Sequence, residues 1–395
     1  MRRFVFLLVA VALFAAPLHA GAASRSPTWI AAWAAPITNS AVATVGSTSG
    51  APSNGTVRNV SYVTLGGTDV RIRVSNAFGG STPLRIGSAS VGIKGDGASA
   101  TALRRVTFHG KPGITLRGGT QYAYSDPMRL FVRAHQLVVT SLYFPAGTNP
   151  DAFTANYNTS YLTANGSGDH TRDSGGEAYT QTTTSTYALT AIDVLTKEAN
   201  GAIIGLGSST FHGTASTLDT YGRVLDLLSV RAKTYISYGN RKSVISAGIG
   251  GDTLHAGLSR MSRDVFSQTG VTGVILYDIN DLSSRTAEQI IDDYRIAIRA
   301  SHARKIEVFC PTWPPASQST PGFPTQERSK LNAWILNSGE CDDVVDWATV
   351  LEEQTTHMTY RPQYFADSIH PNQAGHKALA DATPLRWFVE RYVTK

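Results

Sequence analysis

The feature that most constrains this chain is a change of pattern near Leu195. From Trp29 to about Leu195 the sequence is rich in Gly, Ser and Thr and reads as short strands and turns. Val70-Arg71-Ile72-Arg73-Val74 alternates apolar and polar residues, as a half-buried strand does. Leu84 to Val91, Met128 to Val132 and Leu137 to Phe144 continue the pattern between Gly, Asn and Pro breaks. Many short strands without helical periodicity predict a β-sandwich or jelly-roll module. After Leu195, apolar strands alternate with amphipathic helices. Ala202 to Leu206, Val244 to Ala247, Val271 to Tyr277, Ile306 to Phe309 and Val344 to Trp347 read as five buried strands. Helices are expected at Thr286 to Ser301, Gln326 to Leu336 and Gln373 to Tyr392. Alternating β and α units predict a parallel sheet with helices on both faces.

The chain opens with Met1-Arg2-Arg3, an uncharged stretch from Phe4 to Leu18 and small residues through Ala23. These are the parts of a secretory signal peptide, with cleavage placed between Ala20 and Ser24. The stretch is short for a membrane span, and no later segment supplies the roughly 20 apolar residues a spanning helix needs. The expected organisation is a signal peptide over 1–23, a β-module over 24–198 and an α/β domain over 199–395, in a secreted or periplasmic protein. Losing Arg2 and Arg3 lowers the formal charge of +6 by two, to +4. The basic residues are dispersed, so the sequence points to no nucleic-acid partner. Asn54, Asn59, Asn158 and Asn165 each begin a glycosylation sequon, a signal that depends on the source.

The two cysteines, Cys310 and Cys341, are too few for a disulfide framework. Cys310 should end one strand and Cys341 precede the next. In parallel neighbours that separates the sulfurs by roughly 15 Å at about 3.3 Å per residue, beyond disulfide reach. Two free thiols are expected.

Chemistry gathers at the C-terminal ends of parallel strands, and three candidate residues fall there. Ser209, in Gly207-Ser208-Ser209-Thr210, follows the first strand; Gly248 follows the second and Asn280 the third. A serine hydroxyl becomes a nucleophile only when a base takes its proton and donors receive the developing oxyanion. Taken alone, Ser208 to Thr210 also fits a turn and helix N-cap. Asp367-Ser368-Ile369-His370 supplies an acid and a base on one turn, although Asp-x-x-His can equally cap the following helix. His212 and His255 are competing bases. Trp313, beside Pro314 and Pro315, is a candidate cleft residue that could stack on a sugar or acyl chain or simply pack. Tyr221, Trp334 and Trp387 sit at helical positions and read as core.

Gly207 to Thr210, Ser246-Ala247-Gly248-Ile249-Gly250-Gly251, Asp278-Ile279-Asn280-Asp281 and Asp367 to His370 together resemble the four ordered blocks of the SGNH (GDSL-type) hydrolase superfamily. Arg260-Met261-Ser262-Arg263-Asp264 and Arg328 with Asn332 add to the likeness over residues 200–395. Thr28-Trp29, Arg73 to Gly79 and Ser125-Asp126-Pro127 resemble the β-module of one secreted branch. No Gly-x-Ser-x-Gly elbow occurs, unlike in ordinary α/β-hydrolases.

The resemblance implies a five-stranded parallel sheet and a Ser209-His370-Asp367 triad. It also implies an oxyanion hole from the Ser209 and Gly248 N–H groups and the Asn280 amide. The implied reaction is metal-free, cofactor-free hydrolysis of acetyl or acyl esters on carbohydrates or lipids. Two other functions use the same scaffold: a silenced carbohydrate-binding protein, and an acyltransferase. Three residues depart from the family pattern. Ser208 replaces its Asp, Ser246 its Asn, and Asp278 its Gly. The strands before positions 208 and 278 are neighbours in the implied sheet order, so Asp278 either replaces the missing acid from across the strand pair or marks independent drift in a weakened enzyme.

Overall fold

The computed structural model describes residues 26–38, 50–154, 156–316, 323–353 and 359–389. The expected signal peptide lies outside them. The N-terminal module consists mainly of two antiparallel sheets. In one, Leu189–Thr196 lies between Thr28–Ala34 and Gly67–Asn76, and the latter also pairs with Thr120–Tyr124 and Met128–Val132. The other is six-stranded, ordered Gln181–Thr183, Ser160–Leu162, Gly55–Tyr62, Leu137–Phe144, Ser88–Lys94, Ala100–Val106. The alternation read at residues 70–74 is real: Val70, Ile72 and Val74 are buried in the core. The intervening arginines are not given up to water. Arg71 reaches Asp193 at 2.9 Å, and the buried Arg73 donates to Thr190 Oγ1 and to the Ser267 carbonyl, each at 3.0 Å.

All five expected strands of the second half are present: Ala199–Gly207, Arg241–Gly248, Val271–Tyr277, Glu307–Pro311 and Asp343–Val345. They form one parallel sheet in the order second, first, third, fourth, fifth. Ile204 is level with both Ile245 and Val274, and Val274 with Val308. These side chains share one face and are buried, as are Ile203, Val244 and Ile275 on the other, which is why the strands read as continuous apolar runs. The Ala287–His302 helix begins at a reciprocal capping box between Thr286 and Gln289, as its sequence implies.

Two boundaries differ from expectation. Trp347 opens a short helix, Trp347–Leu351, because the Asp346 carboxylate accepts the Thr349 N–H and caps it. The last long helix ends at Ala382, since Pro384 disfavours helix at Thr383; a 3-10 turn, Leu385–Phe388, follows. Of the sequons, Asn59 and Asn158 are buried and hold backbone groups of Tyr187 and Val60, so neither can carry a glycan in the fold.

The expectation of free thiols is overturned. Cys310 and Cys341 form a disulfide with Cα atoms 6.2 Å apart. Cys310 is level with Val344, so Cys341 lies only three residues before its partner position. The chain also bends at Cys341 and Asp342 instead of running on extended. Asp342 holds that bend by exchanging bonds with Val308: its N–H donates to the Val308 carbonyl at 2.9 Å and its carboxylate accepts the Val308 N–H at 2.7 Å.

The module is packed tightly against the α/β domain. Thr28–Ala34 lies along the first two parallel strands, and the Ala31 N–H donates to the Thr269 carbonyl at 3.0 Å. Thr64 and Ser243 share a hydroxyl hydrogen bond at 2.7 Å, and Tyr62 stacks on Tyr221 at 4.4 Å. His135 of the module bonds Ser229 at 3.0 Å.

Two stability predictions follow from buried groups. Burial, with Lys233 and Arg241 nearby, pushes the His135 pKa from 6.5 down to about 4, and burial does the same to His376. Both rings stay neutral in the fold but take up protons in the unfolded chain below pH 6.5. Their contribution is complete above that pH and is lost as pH falls through about 4. Thermal unfolding should therefore show a Tm that drops between pH 7 and pH 4, with a shallower drop for His135→Gln. The disulfide closes a 31-residue separation, for which chain entropy gives about 3 to 4 kcal/mol. Denaturant titration of the Cys310→Ser, Cys341→Ser double variant should show a loss of that order.

Candidate active site

The site is built where the first three parallel strands end. Gly207 is level with Gly248 on one side and Tyr277 on the other. A Cβ at Gly207 would lie 2.0 Å from the Tyr277 carbonyl oxygen, so a side chain here would force the strands apart. A Cβ at Gly248 would lie 2.3 Å from the His212 backbone nitrogen. Two glycines thus let three chain segments converge. Arg260 ties the ends together. Its guanidinium donates to the carbonyls of Ala247 at 2.7 Å and Gly207 at 3.1 Å while pairing with Asp252 and Asp264.

Ser209 begins the one-turn helix Ser209–His212 and is 5% exposed. Its Oγ lies 3.0 Å from His370 Nε2, although 161 residues separate the two in sequence. His370 Nδ1 is 2.7 Å from Asp367 Oδ2. A carboxylate only accepts, so this contact puts the ring proton on Nδ1 and leaves the Nε2 lone pair facing the serine hydroxyl. Asp367 also accepts the N–H groups of Ile369 at 2.9 Å and His370 at 2.8 Å. Partial burial raises the Asp367 pKa, but these donors and the His370 ring outweigh it and hold the pKa below the ordinary carboxylate value. The three residues proposed from sequence therefore meet as one hydrogen-bonded chain.

The expected oxyanion donors lie around the same strand ends. The Gly248 N–H makes a 3.2 Å bond to Ser246 Oγ, whose hydroxyl is committed to the Phe211 carbonyl at 2.7 Å. Such a long contact is readily exchanged for a charged acceptor. The Asn280 amide donates to the Asp252 carbonyl at 2.8 Å, which orients the side chain and leaves a second N–H to donate. Asp252 was not singled out in the sequence, yet it fixes both Asn280 and Arg260. Its signal there is only an acid eight residues before an arginine.

Asp278 and Ser208 are neighbours, as the strand order requires, and both are fully buried. Burial raises the Asp278 pKa well above the carboxylate value; the Asn280 N–H opposes this, and Asp281 pushes further upward. Burial therefore shifts Asp278 toward its protonated form. One of its oxygens accepts the Asn280 N–H at 3.0 Å. The Ser208 hydroxyl is close enough to bear on its ionisation, without a well-aligned hydrogen bond between them.

The competing bases are otherwise engaged. His255 contacts Asp293 at 3.2 Å on a mostly exposed side chain, and His212 bridges Thr154 and Gly250. Trp313 does not line a cleft. It is 0% exposed, its indole donates to the Tyr294 hydroxyl at 2.9 Å, and Asn332 bonds both its N–H and its carbonyl. Among the described residues, no three His, Cys, Asp or Glu side chains cluster so as to hold a metal ion, and no helix is long and apolar enough to cross a membrane.

Residues 206–378 match the GDSL-like lipase/acylhydrolase family. No curated protein matches the chain significantly. Similar solved structures include the lipase/acylhydrolase of Enterococcus faecalis, 21% identical over 47% of this chain and 94% of that one, with a TM-score of 0.40. An acetyl xylan esterase is 22% identical over 47% of this chain and 98% of its own, at a TM-score of 0.37. The M. smegmatis aryl esterase is 16% identical, covering 46% and 95%, at 0.38. The family match spans the four sequence blocks and ends inside the helix after His370; the strand order brings the first three together and the His370–Ser209 contact adds the fourth. The match over residues 206–378 identifies a GDSL-like lipase/acylhydrolase domain in the C-terminal half of this chain.

Proposed function

We propose that the protein is an exported serine esterase that removes acetyl or acyl groups from a carbohydrate or lipid through an acyl-enzyme. The observation that carries this reading is the Ser209–His370–Asp367 chain of hydrogen bonds, at 3.0 and 2.7 Å. Ser209 Oγ attacks the ester carbonyl as His370 Nε2 takes its proton, and Asp367 steadies the resulting imidazolium. The carbonyl oxygen becomes an oxyanion facing the N–H groups of Ser209, Gly248 and Asn280. Collapse expels the alcohol with the proton from His370. Water, deprotonated by the same ring, then releases the acid and restores Ser209.

The disulfide and the apolar leader from Phe4 to Leu18 support export, because an oxidising compartment preserves the bridge. The three departures from the family pattern leave this apparatus intact. Ser246 retains a role by binding the Phe211 carbonyl, and Asp278 sits beside Ser208 where a carboxyl is missing. A silenced binding protein has no requirement for an aligned serine, histidine and aspartate.

Turnover of short- and long-chain nitrophenyl esters should fall by about 10³-fold or more in Ser209→Ala. Equal near-zero rates for both proteins, on these and on acetylated polysaccharides, would favour the binding reading. For the buried acid, Ser208→Asp combined with Asp278→Gly should retain more activity than Asp278→Gly alone. Equal losses in the same assay would show that Asp278 does not stand in for the family's carboxyl.

A further inference from the structure

His212 presents a contact that the proposed chemistry does not use. It closes the one-turn helix that Ser209 opens and is 7% exposed. Its Nδ1 lies 2.9 Å from the Gly250 nitrogen and its Nε2 lies 3.0 Å from the Thr154 carbonyl oxygen. A backbone N–H only donates and a carbonyl only accepts, so the ring accepts at Nδ1 and donates at Nε2. Both nitrogens are committed, and the ring is the neutral tautomer. Phe153 packs on the ring at 4.8 Å, and Tyr157 meets it edge-on at 5.6 Å. Both aromatics, like Thr154, belong to the N-terminal module. A second tie lies close by: Asp219 accepts the Thr159 N–H at 2.6 Å and its hydroxyl at 2.7 Å, and the Asp219 N–H donates to the Tyr157 carbonyl at 3.1 Å.

We propose that His212 is a positioning residue through which the N-terminal module holds the oxyanion loop, by the path Thr154 carbonyl, imidazole, Gly250 N–H. Gly250 is two residues beyond Gly248, so the strut fixes the segment that carries the Gly248 donor. The packing leaves little room for another support. A Cβ at Gly248 would strike the His212 backbone nitrogen at 2.3 Å, and one at Gly250 would lie 3.0 Å from the ring Nδ1. Without the strut, the loop keeps its backbone contact from the Ile249 N–H to the Gly207 carbonyl at 3.0 Å but loses its restraint at Gly250. The module is then part of the machinery of the site as well as a neighbour of it. This proposal rests on the esterase reading above.

The test uses the full chain with two substitutions. His212→Phe keeps a ring against Phe153 and Tyr157 but removes both hydrogen bonds. His212→Gln keeps one acceptor and one donor. Ester hydrolysis by His212→Phe should lose about 10- to 100-fold in kcat with KM changed less than about 2-fold, since a displaced oxyanion donor acts on the transition state. Affinity for phenylboronic acid, whose tetrahedral adduct with Ser209 Oγ presents an oxyanion, should weaken in parallel. His212→Gln should regain most of both. Wild-type kcat and boronate affinity in His212→Phe would overturn the proposal. Equal losses in the two variants, in step with a lowered Tm, would also overturn it by reducing His212 to a packing residue. An unaffected Ser209→Ala would instead remove the esterase reading beneath it.

Discussion

Every group of the candidate site depends on three parallel strands ending at one level with almost nothing between them. Gly207 lies against the Tyr277 carbonyl, and Gly248 against the turn that begins at Ser209. The order second, first, third places the connections leaving the first and third strands on opposite sides of a switch point, where α/β sheets open a crevice. Arg260 secures this arrangement by accepting no hydrogen bond and donating in several directions, to two strand-end carbonyls and two carboxylates. A lysine could not span the same fixed fork.

The electrostatics of the strand ends follow from burial. Asp278 is enclosed, so its pKa is pushed up; Asp367 is half exposed and ringed by N–H donors, so its pKa is held down. Two aspartates near one serine are thus shifted in opposite directions. The exposed one can stabilise an imidazolium, whereas the buried one can only organise its own loop through Asn280.

The N-terminal module shapes this centre from outside. Its polar strand face, with Arg71 and Arg73, meets the α/β domain instead of water, and its Thr154 carbonyl reaches the ring of His212. Periodicity identified Val70, Ile72 and Val74 as inward-facing but could not say what covered the arginines between them. The same limit applied to Trp313. An indole after a strand end is compatible with a cleft wall or a core, and only the approach of Tyr294 and Asn332 from other helices resolves which. The cysteines erred in the other direction, because strand spacing assumed an extended chain where Asp342 bends it. His212 was weighed as a base because of its closeness to Ser209 in sequence, while its two partners lie 58 and 38 residues away.

The sequence by itself determined the two patterns of the chain and the five parallel strands, and it singled out Ser209, Asp367 and His370, whose side chains meet in the fold. Hydrophobic period and turn chemistry are local, and the strand ends mark where reactive groups collect. Only the tertiary structure decided that Trp313 is enclosed in the core, that Cys310 and Cys341 are joined, and that His212 links the module to Gly250. Each of these depends on which segment, distant in sequence, closes over a residue. That is a property of packing, and no spacing along the chain encodes it.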